Sequence, residues 1–182
     1  MTRLLLAGVT ATFALAASAV HADSFNLTSQ SVADGRLKQP QFSNSFGCTG
    51  GNLSPHVAWQ GAPQGTKSYV VTMYDPDAPT GSGWWHWVVA NIPASVTSLK
   101  EGADSTNGGL PAGAVKVRGD SGEAGYLGAC PPSGQTHNYV ITVYALQVDR
   151  LDLPAQVTPA MLGFMTLGAS LGKASLVVKG GR

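Results

Sequence analysis

Apolar residues in this chain fall in short runs separated by Gly, Pro, Asp and Asn, a spacing that predicts strands rather than helices. The runs are Ser24–Ser29, Tyr69–Tyr74, Trp85–Ile92, Tyr139–Leu146 and Ser175–Val178, each rich in β-branched or aromatic residues. Tyr69–Tyr74 and Tyr139–Leu146 are too continuously apolar for a strand with one wet face. They read as central strands buried on both sides. His56 follows Ser54-Pro55 at the entry to a further strand and reads as a structural or surface residue.

One segment carries a helical signature. Thr158 is a cap and Pro159 suits the first helical position. Met161, Leu162, Met165 and Leu167–Leu171 then supply an apolar stripe that Gly172 ends. No internal repeat or low-complexity linker interrupts the pattern. The expected architecture is one mainly β domain with a C-terminal helix and a last strand.

The first 22 residues follow another logic. Arg3 precedes an apolar run from Leu4 to Ala19, and Val20-His21-Ala22 supplies small residues before Asp23. This is the pattern of a secretory signal peptide cleaved after Ala22, with Ala19 as the other cut. A retained membrane anchor is the alternative, but the run is shorter than the roughly 20 residues of a spanning helix. The mature domain is then 23–182.

Loss of Arg3 leaves ten basic against ten acidic residues, with no run of like charge. Long-range attraction of nucleic acid or of a charged membrane surface is excluded by that balance. Any anion must be held by local geometry. The two cysteines, Cys48 and Cys130, form an even count in an exported chain, which favours a disulfide over free or metal-binding thiols.

Candidate chemistry concentrates in two loops. Asp75-Pro76-Asp77-Ala78-Pro79 follows a buried strand and leads through Gly81–Gly83 into Trp84-Trp85-His86-Trp87. Gly125–Pro132 precedes His137-Asn138-Tyr139 at the mouth of another. Loops at the ends of rigid strands commonly present binding groups. Their prolines restrict loop shape, with cis bonds an open possibility.

Five blocks occurring in order make the chain recognisable: Asn52–Trp59, Tyr74–Pro79, Trp85–Pro93, Gly125-Tyr126 with Pro131–Gly134, and His137–Tyr139. Together they resemble the phosphatidylethanolamine-binding proteins, most closely the bacterial Raf-kinase-inhibitor-like branch of YbhB/YbcL type. The resemblance runs from about Phe25 to Val178. It implies a large central antiparallel β-sheet flanked by a smaller one, with few short helices. It also implies a pocket for a phosphate-like anion or phosphoethanolamine head group, made by Asp75, Asp77, Trp84, His86, Pro131, Pro132, His137 and Tyr139. Periplasmic members have cysteines in similar contexts to Phe46-Gly47-Cys48 and Gly128-Ala129-Cys130, which supports the Cys48–Cys130 disulfide. The chain also resembles the bacterial members in lacking a longer C-terminal helix, which implies a more open pocket. No catalytic residue and no cofactor is implied. The expected role is to regulate or inhibit a protein partner whose identity the sequence does not show.

Such a pocket makes physical sense if His86 and His137 supply ring N–H groups, Tyr139 a hydroxyl and the Gly128–Pro132 loop backbone donors. Asp75 is expected to orient His86 and favour its protonated form. Trp59, Trp85 and Trp87 read as packing residues, and Trp84 stands between packing and ligand contact. Two enzymatic readings compete. Gly119-Asp120-Ser121-Gly122 resembles the nucleophile segment of chymotrypsin-like proteases, but Glu123 replaces the next glycine and no histidine has the matching context. Asp120 suits a family loop position, whereas Ser121 stands where relatives often carry an aromatic residue. The stronger alternative is a metal-dependent hydrolase using His86, His137 and Asp75 or Asp77, although no compact motif such as HExxH is present. Asn26-Leu27-Thr28 and Asn52-Leu53-Ser54 match the glycosylation sequon, which an export signal of bacterial type leaves unused.

Overall fold

The computed structural model describes residues 24–105 and 109–182, so the expected signal peptide lies outside the described residues. Two antiparallel sheets make the frame. The smaller holds β1 (Asn26–Thr28), β2 (Val57–Gln60) and β5 (Ser98–Leu99) in the order β1-β2-β5. The larger runs β6-β4-β3-β7-β8 and contains β3 (Ser68–Asp75), β4 (Trp84–Pro93), β6 (Val115–Lys116), β7 (Thr136–Leu146) and β8 (Ser170–Gly181). Among the described residues one α-helix, α1 (Pro159–Ala169), precedes β8.

The continuous apolar runs are the central strands. In β3 every residue but Tyr74 is buried, and β7 is buried at Tyr139, Ile141, Val143, Ala145 and Leu146. Side chains on the inner face of the large sheet, such as Val71, Trp87 and Ile141, pack on Leu27, Val57, Trp59 and Leu99 of the small one. On the outer face Val70, Val88 and Ala90 meet Leu162 and Ala169 of α1. The large sheet is therefore covered on both sides where its sequence is most apolar.

Helix α1 begins as expected, with the Thr158 hydroxyl accepting from Met161 N at 3.2 Å. Its end and its stripe differ. The helix stops at Ala169, because Ser170 already pairs with Leu146 and strand pairing takes the residues before Gly172. Leu162, Thr166 and Ala169 turn inward, whereas Met161, Phe164 and Leu167 face outward, the last two 76% and 74% exposed. The β8 strand is longer than its apolar segment, since its ladder with β7 runs from Ser170 to Gly181. No peptide bond among the described residues is cis, so the prolines of both loops act through their fixed φ alone.

Candidate functional site

Antiparallel pairing gathers three strand ends at one edge of the large sheet. β3 finishes at Asp75, β4 starts at Trp84, and β7 starts at Thr136. A bulge then sets the direction of His86. Met73 pairs with Trp87 and Tyr74 with Trp85, so His86 is an extra residue in β4. Adjacent residues of a regular strand face opposite sides, and a bulge breaks that alternation. Trp85 joins Tyr74 on the outer face, with ring centroids 4.6 Å apart. His86 and Trp87 both reach the inner side, where His86 meets the Tyr139 ring edge-on at 5.3 Å.

The polar floor of the site is built on Asp75, which is 2% exposed. Its Oδ1 accepts from Asp77 N at 2.9 Å, and its Oδ2 lies 2.7 Å from His137 Nδ1. The expected Asp75–His86 contact is present at longer range, His86 Nε2 lying 3.9 Å from the carboxylate oxygen that His137 meets at 2.7 Å. His86 Nδ1 donates to Leu127 O at 2.9 Å, while Leu127 N donates to His86 O at the same distance. A carbonyl can only accept, so His86 carries its proton on Nδ1 and directs Nε2 toward the carboxylate and the cavity. Burial alone would raise the Asp75 carboxyl, but the two imidazoles and Asp77 N hold it below its ordinary value. Asp75 is thus a buried carboxylate compensated by two rings.

A cavity of about 250 Å³ opens above this floor. Of the residues proposed from the sequence, Asp75, Trp84, His86, Pro131, Pro132 and His137 line it. Trp84 Nε1 is a buried donor without a hydrogen-bond partner among the described residues, which makes it available to a ligand. Asp77 stands behind the wall, its Oδ2 accepting from Asn138 N and Nδ2 at 2.7 and 2.8 Å and tying the β3–β4 loop to β7. Tyr139 lies beneath the floor, stacked on His137 at 6.4 Å and fully buried. Burial and the neighbouring Asp75 charge push its hydroxyl well above the usual phenol range.

Sequence reasoning missed part of the wall. Phe46, Ala78, Pro79 and Thr80 also line the cavity. Of these, Ala78, Pro79 and Phe46 sat within quoted segments, Phe46 only as context for Cys48. His137 Nε2 lies 3.1 Å from Gln135 Oε1, so both ring nitrogens have a polar partner. The Cys48–Cys130 disulfide is present and joins the Phe46–Cys48 turn to the Gly128–Pro132 wall. Asp120 has a structural task, its Oδ2 accepting from Trp85 N at 2.8 Å at the start of β4. His56 is structural too, with Nδ1 accepting from Gln30 N at 3.2 Å. Among the described residues no group of three or more His, Cys, Asp or Glu side chains is arranged to hold a metal ion.

The sequence model of the phosphatidylethanolamine-binding protein family matches residues 28–180. The chain belongs to that family. It is 48% identical to the UPF0098 protein YbhB of Escherichia coli K12, an alignment that covers 82% of this chain and 96% of the relative. To YbcL of the same organism it is also 48% identical, with 79% and 80% covered. The crystal structure of E. coli YbcL, described as a new member of the mammalian PEBP family, superposes with a TM-score of 0.82. That superposition has 43% identity and covers 87% of this chain and 98% of YbcL. A putative family homologue from Chlamydia trachomatis follows at 0.65 and 30% identity, covering 86% and 95%. The family's two-sheet fold therefore holds here.

Proposed function

We propose that this chain is an exported, periplasmic binding module that holds a phosphate-like anion or phosphoethanolamine head group and thereby regulates or inhibits a protein partner. The observation that carries the reading is the polar floor of the cavity: two histidines around one buried carboxylate, each fixed by a separate hydrogen bond. Among the described residues no lysine or arginine lines the cavity, so the two imidazole rings are its basic side chains. His137 is held between Asp75 and Gln135, and His86 is held by Leu127 O with its Nε2 toward the cavity floor. The partnerless Trp84 Nε1 adds a third donor. Each charge-assisted hydrogen bond of this kind contributes about 1.5–3 kcal/mol.

Calorimetric titration with phosphate and with phosphoethanolamine tests this, at about pH 6 and about pH 8, where histidine changes charge. Saturable binding, tighter at the lower pH, is the expected result. His86→Ala should weaken it roughly tenfold or more. Absence of binding at both pH values would remove the anion pocket as the seat of function.

A further inference from the structure

Phe46 is an exposed aromatic residue held in an unfavourable backbone conformation at the mouth of the anion cavity. Its φ is 54° and it is 69% exposed. The left-handed region is uncommon for a bulky residue and persists only where surroundings enforce it. Three contacts enforce it here. Cys48 is bonded to Cys130 in the opposite wall, Cys48 N donates to Ser45 O at 3.0 Å, and Arg182 Nη1 donates to Gly47 O at 2.9 Å. The ring is thus fixed on a clamped turn, not left on a free loop.

The clamped ring stands where it changes the character of the site. Asp75, His86 and His137 are polar and buried, whereas Phe46, Pro79 and Pro132 are exposed and give the cavity an apolar mouth. Inorganic phosphate would use the floor and leave the mouth in water. An apolar substituent on the phosphate oxygen would cover it. Phe46 also lines a second, larger cavity of about 710 Å³.

We infer that Phe46 is a specificity-determining residue, selecting phosphomonoesters whose substituent presents an apolar surface over inorganic phosphate. The inference rests on the anion-binding reading of the floor. Inorganic phosphate probes the floor alone, and phenyl phosphate probes floor and mouth together. Their affinities are to be measured by titration calorimetry on the purified protein, Phe46→Ala and Phe46→Tyr.

The wild type should prefer phenyl phosphate by about three- to tenfold, the range of one aromatic contact. Phe46→Ala should bring the ratio near one, and Phe46→Tyr should restore the preference. A ratio near one in the wild type, or one that Phe46→Ala leaves intact, overturns the role of Phe46 while the floor stands. If phosphate and phenyl phosphate both fail to bind the wild type, the anion-binding reading falls and takes this inference with it.

Discussion

His137 on β7 meets Asp75 on β3 at 2.7 Å, Nδ1 to Oδ2, across 62 positions of sequence. Both groups are nearly sealed from water, with Asp75 2% and His137 4% exposed. A buried carboxylate without a partner would be strongly unfavourable. The pair therefore fastens the pocket's floor to the two central strands, and pocket and core share one stability.

Asp75→Asn should destabilise the protein at neutral pH by about 3 kcal/mol, because it breaks the buried pair that the Asp75 carboxylate makes with His137. The folded-state carboxyl lies below its ordinary value of 3.8, so its contribution is present above that pH and is lost as pH falls through the lowered value. Urea melts of both proteins should show the gap closing in acid. A gap that stayed constant down to low pH would mean that the charge of Asp75 is not what stabilises the fold.

Asp104 should show the opposite sign. It is 4% exposed, accepts from Trp87 Nε1 at 2.7 Å and pairs with Lys116 Nζ at 2.6 Å. Burial still outweighs both partners and raises its carboxyl above 3.8. Its contribution is thus fully present below that value and lost as pH rises through the raised one. Melting temperatures at about pH 4 and about pH 7 should therefore show Asp104→Asn gaining on the wild type as pH increases. A variant that lost ground with rising pH would show that Lys116 more than offsets burial.

Gly128→Ala should destabilise the fold by about 1–3 kcal/mol, the range for forcing extra volume into a packed site. A Cβ there would collide with Ser43 N and the Phe42 carbonyl carbon, where Ser43 N donates to Ala129 O at 2.9 Å. Thermal unfolding measures the loss, and a variant as stable as the wild type would show that the two loops move apart freely.

Replacing Cys48 and Cys130 together by alanine should lower stability by as much as about 4 kcal/mol, the chain-entropy figure for a long closed loop. The bond links positions 82 apart. Denaturant titration of the variant against the oxidised wild type gives the difference, and a loss under about 1 kcal/mol would mean that the loops are held by their backbone hydrogen bonds alone.

Much of the frame was legible because it depends on local burial. A strand sealed on both faces must be apolar at every position, and Tyr69–Tyr74 and Tyr139–Leu146 have no other stable use. A cap needs only its own turn, so Thr158 and Pro159 announced α1. The helix end was hidden, since Ser170 answers to Leu146 rather than to its own neighbours.

The sequence by itself determined the family, the central strands, the paired cysteines and the two loops that carry the site. Tertiary structure decided which groups meet. One extra residue in β4 turns His86 to the same side as Trp87, and no local pattern of apolar and polar positions reports a bulge. Strand register gave Asp75 to His137 and left His86 to Leu127. Cross-linking raised Phe46 to the pocket mouth from a stretch without periodicity. Composition and spacing record what a segment must bury, whereas partners depend on register, and register is a property of the assembled sheet.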